Sequence, residues 1–124
     1  MAIERAHEHP TFDSMGNAVT SLAAPTRGAT ELGLFRTEVP PGGGLPAHRH
    51  DHLDVFVIDR GSCTFHLGAE AFELGPGDSG VVPIGTWHRL EAGPDGVVLT
   101  VTMLAGTRLE FEDGRALVPP WLAP

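Results

Sequence analysis

The stretch HRHDHLD, residues 48–54, places His48, His50, His52 and Asp54 at every second position. A β-strand points alternate side chains to the same face. On an unbroken strand these four groups would project into one space. Neutral imidazoles with a carboxylate make a donor set for a transition metal. The alternative is a group of titratable side chains brought together with nothing to bind, which is costly when buried.

Such residues need a rigid frame, and the composition says what kind. The chain has 124 residues, enough for one domain. It is 41% hydrophobic and 19% charged, which supports a packed core and excludes disorder. Sixteen glycines and eleven prolines in so short a chain call for many turns. Short apolar runs between many turns predict an all-β sandwich or barrel. No window carries a helical period, and no internal repeat is visible.

Strands are expected at NAVTSLAA (17–24), ELGLFRTEV (31–39), DVFVIDR (54–60), SCTFHL (62–67), EAFEL (70–74), SGVVPI (79–84) and WHRLEA (87–92). Gly61 reads as a hairpin between the third and fourth of these. GPDG (93–96) reads as a further turn, and VVLTVTML with TRLEFED as the last hairpin. Residues 1–13 read as an N-terminal arm, 14–115 as the barrel, and 116–124 as a C-terminal tail. The arm or the tail, with Trp121, is expected to pack on the barrel or on a second subunit.

The net charge is −8 with histidine neutral. Nucleic acid and anionic membranes would be repelled, so neither is an expected partner. The N-terminus MAIERAHEHP has no apolar signal core, and GVVLTVTML is too short to span a bilayer. The lone Cys63 has no internal partner and is read as a small buried hydrophobe, which fits a reducing compartment. A soluble cytoplasmic protein is the expectation.

Two runs of residues resemble the motifs of the cupins, small β-barrels built around a metal. Gly42, His48, His50, Asp54 and Gly61 stand in the register of the first cupin motif. Gly77, Pro83, Gly85 and His88, in GDSGVVPIGTWH, stand in that of the second. The sequence departs from the pattern twice: Asp54 stands where glutamate is usual, and Ala92 where asparagine is usual. The resemblance implies a jelly-roll barrel (double-stranded β-helix) with metal ligands His48, His50, His88 and Asp54. His88 would arrive from a neighbouring strand, placed by the turn at Pro83–Gly85. One divalent Fe, Mn, Ni, Cu or Zn per chain would suit that set.

Aspartate is one methylene shorter than glutamate, about 1.5 Å. Asp54 would therefore bind directly after a strand shift, or act through water or a histidine N–H. Otherwise His52 would take part. The resemblance further implies a metal-dependent enzyme acting on a small organic molecule: dioxygenase, isomerase, decarboxylase, lyase or polyketide cyclase. The alternative is a non-catalytic small-molecule-binding or sensor cupin. Cupins of this kind also dimerise by exchanging a terminal strand, so a homodimer is expected.

Around the site, Phe56 and Ile58 share the parity of Asp54 and are expected to line the cavity. The strand at 31–39 offers either Phe35 with Thr37 or Arg36 with Glu38. If the second pair faces inward, it would bind a polar substrate and move a proton. If not, it is a solvated face with a surface ion pair. Trp87 should face away from the metal and pack, His66 should be structural or exposed, and His7 and His9 belong to the arm.

Overall fold

The structure is a computed structural model that describes residues 3–124. Met1 and Ala2, the start of the expected arm, lie outside the described residues. Ten strands follow in order. They are β1 (Thr11–Ser14), β2 (Asn17–Ala23), β3 (Leu32–Val39), β4 (Gly44–His50), β5 (Asp54–Leu67), β6 (Glu70–Leu74), β7 (Ser79–Val82), β8 (His88–Leu104), β9 (Leu109–Phe111) and β10 (Ala116–Leu117). The helical turns among the described residues are two three-residue 3-10 segments, Ala6–Glu8 and Pro25–Arg27.

All pairings are antiparallel, and two long strands organise them. The second half of β8 pairs with β3, and its first half with β4. β5 runs along the whole of β8, from Asp54 opposite Met103 to Leu67 opposite His88. One layer therefore reads β1–β2–β3–β8–β5–β7, and the other β10–β9–β4–β8–β5–β6. Because β5 and β8 belong to both layers, the sheet folds over on itself into a jelly-roll barrel.

The bend occurs where two glycines meet. Gly61 pairs with Val97 and has φ +74°; Gly96 has φ +76°. A Cβ on Gly61 would collide with the carbonyl oxygen of Gly96, and one on Gly96 would lie 2.6 Å from the carbonyl oxygen of Val39. Register shifts flank the corner, between Ile58 and Arg60 and between Gly61 and Cys63. Such bulges change which side chains face inward. Asp54, Phe56 and Ile58 are buried before the corner, Cys63 and Phe65 after it. The parity of β8 switches likewise, from His88 and Leu90 to Val97, Leu99 and Val101.

This geometry corrects three expectations. Gly61 is a bulge inside one continuous strand and not a hairpin, and 93–96 is a kink in β8 and not a chain reversal. The last hairpin is β9 with β10, and β9 lies beside β4. In the first two cases a long strand bent at a glycine reads locally as two strands with a turn.

Both termini contribute to the wall. Residues 11–13 of the expected arm belong to β1, which pairs with β2 of its own chain. At the other end, Leu122 is fully buried, and its carbonyl accepts from the Gly106 amide at 2.8 Å. A Cβ on Gly33 would lie 2.5 Å from Leu122 Cδ2, so the bare glycine admits the tail. Trp121 packs on Phe12 and Phe35 at centroid distances of 5.6 and 5.7 Å. Cys63 is buried in the core, as expected.

The glycine corner generates a comparison. Gly42 also has positive φ, but a Cβ there meets open space. Gly42→Ala should cost about 1 kcal/mol of backbone strain, and Gly61→Ala about 2–3 kcal/mol or more through strain plus collision. Urea unfolding checks this; equal midpoints for the two variants would show that the corner is not tight.

Candidate metal centre

The site begins with the pairing of β4 and β8, which sets His48 directly opposite His88. His50 follows on the same inward face of β4. The turn before β8 is tied to β4, since the Gly85 amide donates to the His50 carbonyl at 2.9 Å. That turn needs the positive φ of Gly85, +73°. The spacing between Pro83 and His88 is thus a backbone device that delivers the third imidazole to the other two.

The strand parity that groups His52 with these residues does not hold. The chain bends at Asp51–His52 between β4 and β5. Asp51 pins the bend: its carboxylate accepts from the Arg108 amide at 2.8 Å and lies 2.9 Å from His52 Nδ1. The His52 side chain is turned out and 39% exposed, and it is not part of the cluster. After the bend the inward face resumes at Asp54.

His48, His50 and His88 each offer a ring nitrogen, all within 4.8 Å of one another. All three are buried, and so is Asp54. Asp54 Oδ2 lies 3.7 Å from His50 Nδ1 and 3.9 Å from His88 Nε2. Both separations are beyond hydrogen-bond distance. His48 Nδ1–H donates to the Pro46 carbonyl at 2.7 Å, and His88 Nδ1–H to the Thr86 carbonyl at 2.9 Å. A carbonyl only accepts, so both rings carry their proton on Nδ1 and keep Nε2 as a free lone pair. Such outer hydrogen bonds orient metal-ligating histidines.

Both His50 ring nitrogens, His88 Nε2 and Asp54 Oδ1 are buried without a partner among the described residues. An orphaned buried polar atom costs about 1–3 kcal/mol. Burial also discourages charge on every member. It lowers His48, and it lowers His50 to about 3 and His88 to about 4, with the neighbouring histidines adding to the effect. It raises Asp54 to about 7. Three neutral imidazoles, two with lone pairs fixed toward one space, and a carboxylate awaiting a counter-charge fit one divalent transition metal.

A cavity of about 80 Å³ opens against this cluster. Phe35, Thr37 and Phe56 line it; on β3 the buried parity is that of Phe35 and Thr37. Ile58, expected beside them, is buried in the core and does not line it. Arg36 and Glu38 fall on the outer face of β3, where Glu38 pairs with Arg60 at 3.6 Å. The inward reading of that pair is overturned, because Phe35 and Thr37 take the buried parity. Asn17 and Trp121 also line the cavity and are absent from the sequence-derived site. Asn17 could have been found from its parity with buried Val19; Trp121, in a tail without periodicity, gives no such signal.

The remaining histidines lie elsewhere. His66 lies 3.5 Å from Glu91 on the exposed side, and His7 sits in the first 3-10 turn. Trp87 stacks under the Arg49 guanidinium at 4.7 Å.

Comparison with known proteins agrees with this architecture. The chain is similar to an RmlC-like cupin from Shewanella frigidimarina NCIMB 400, at 21% identity over 84% of this chain and 90% of that one, TM-score 0.74. It is similar to KdgF from Halomonas sp., at 25% identity over 82% and 92%, TM-score 0.69. It also resembles the polyketide cyclase RemF from Streptomyces resistomycificus, at 20% identity over 98% and 89%, TM-score 0.74. No curated protein matches the chain by sequence. The cupin domain family, Cupin_2, matches residues 35–105, the span that runs from within β3 to the end of β8 and carries all four buried site residues. The chain therefore belongs to the cupin family.

Proposed function

We propose that this chain is a mononuclear metal-dependent enzyme acting on a small organic molecule. The observation that carries the reading is the set of buried, unpaired lone pairs on His50, His88 and Asp54 beside the oriented ring of His48. His48, His50 and His88 would hold one divalent Fe, Mn, Ni, Cu or Zn, which when bound supplies Lewis-acid or oxygen chemistry. Asp54 either completes the donor set, directly or through a water, or holds a proton at Oδ1. The apolar walls exclude water and orient the substrate against the cluster. Dioxygenase, isomerase, lyase and cyclase chemistry all suit this arrangement.

One observation favours a second reading, a non-catalytic binding or sensor cupin. Among the described residues, His48, Asp54 and His88 are the only ionisable ones lining the cavity, so no separate acid or base stands ready there. Elemental analysis of untagged protein decides between them. The enzyme reading predicts near-stoichiometric metal, lost in His48→Ala and His88→Ala together with turnover, and affinity lowered about 10–100-fold in Asp54→Asn. Protein that neither retains nor takes up metal would overturn it in favour of the binder.

The proposed setting is cytoplasmic, supported by one buried, unpaired cysteine. Among the described residues no helix is long and apolar enough to cross a membrane. A homodimer is proposed from the outer face of the barrel. Leu32 opposite Leu104 and Val55 opposite Val81 are two exposed apolar pairs on that face, the second at the open edge of β7. Light scattering at micromolar concentration should give a dimer mass for the parent chain and a monomer for Val81→Lys. A monomeric parent chain would refute it.

A further inference from the structure

The size of the cavity narrows the ligand beyond "small molecule". It encloses about 80 Å³ against the histidines. A water in the liquid occupies about 30 Å³, and an apolar cavity of about 150 Å³ takes one benzene. On that scale the enclosed space holds roughly three to five non-hydrogen atoms. The mouth lies at the turn between β1 and β2, where Met15 lines the cavity and is half exposed.

Aromatic rings set that limit, and they are held in place. Phe35, Phe56, Phe65 and Trp121 all line the cavity. Phe56 packs on Phe65 at a centroid distance of 4.9 Å and is seated against Gly80, where a Cβ would lie 2.7 Å from its ring. Trp121 packs on Phe12 at 5.6 Å and on Phe35 at 5.7 Å. The tail that carries it is anchored by Leu122, which is fully buried and whose carbonyl accepts from the Gly106 amide. A wall packed in this way yields little to an added methylene. Trp121 is the largest of the four, and through Phe12 of β1 it stands on the side where the mouth opens.

Charge narrows the ligand further. The eight cationic side chains of this chain are all arginines, and among the described residues none lines the cavity. A divalent ion held by three neutral imidazoles and one carboxylate leaves a single positive charge. One negative charge on a ligand balances it, and a second would be buried without a partner.

We infer that the cavity takes a singly charged chelator of about five non-hydrogen atoms, the class of the two-carbon 2-hydroxy and 2-oxo acids, and that Trp121 sets the upper limit on its size. Homologues with a branched or aromatic body share the chelating end and are excluded by the indole. Trp121 is then a specificity-determining residue. The inference deepens the reading of the metal centre and rests on it, because chelation needs an ion on the histidines.

The test uses cobalt-loaded protein, whose visible ligand-field bands shift when a ligand enters the coordination shell. The probes are glycolate, 2-hydroxyisovalerate and mandelate, which share one chelating end and one charge while the body grows, and the dianion oxalate. Each affinity is divided by that for the free cobalt ion, so that chelating strength cancels. The parent protein should rank glycolate first, with mandelate and oxalate each at least tenfold below it and 2-hydroxyisovalerate between glycolate and mandelate. Trp121→Ala should bring mandelate to within threefold of glycolate and leave glycolate itself within threefold of the parent value. Mandelate or oxalate ranking with glycolate in the parent protein, or bands that glycolate does not move, would overturn the inference whether or not the variant folds. So would Trp121→Ala, or the milder Trp121→Leu, binding glycolate as the parent does and still excluding mandelate. Cobalt content measured before any ligand is added separates this failure from that of the metal centre: protein that never holds cobalt refutes the centre itself.

Discussion

Three imidazoles and a carboxylate share a buried space, and the described residues supply no partners for several of their lone pairs. Much of the structure follows from that constraint. Burial keeps the histidines neutral and pushes the Asp54 carboxyl toward its protonated form. A cluster so composed is expensive by itself and becomes favourable when a cation shares its lone pairs. The two carbonyls that accept from His48 and His88 show that the rings are held in one tautomer by the backbone around them.

The rest of the barrel can be understood as support for that arrangement. β4 and β8 must pair so that His48 meets His88, and β5 must run beside β8 so that Asp54 arrives from the far layer. Both needs are met because β5 and β8 bend at a shared glycine corner and serve both layers. The same bend reverses the inward parity, which closes the core with Cys63 and Phe65 on one side and Phe56 and Ile58 on the other. The cavity is what remains between this core, the histidines and the tail that carries Trp121.

Local chemistry was the most legible part of the sequence. The alternation of His48 and His50 and the Pro83–Gly85 turn before His88 appear in the structure as a shared inward face and a turn tied to β4. Parity puts Phe56 on the face of Asp54, and both are buried in the structure. It failed at His52, because a strand pattern carries no mark for the bend that Asp51 and Arg108 create between distant segments. It could not choose the inward face of β3, since Phe35 with Thr37 and Arg36 with Glu38 alternate equally well. Gly61 and the GPDG segment were read as turns because a bulge and a hairpin use the same residue type. Trp121 was invisible as a cavity residue: its position depends on Gly33 leaving room for Leu122, a contact between opposite ends of the chain.

The central claim is that His48, His50 and His88 hold one metal ion together. X-ray absorption on protein loaded with a divalent transition metal addresses it most directly. The account predicts a nitrogen and oxygen shell with outer scattering from three imidazoles, reduced to two in His50→Ala. A sulfur ligand, a shell of water oxygens alone, or a spectrum unchanged in that variant would contradict it.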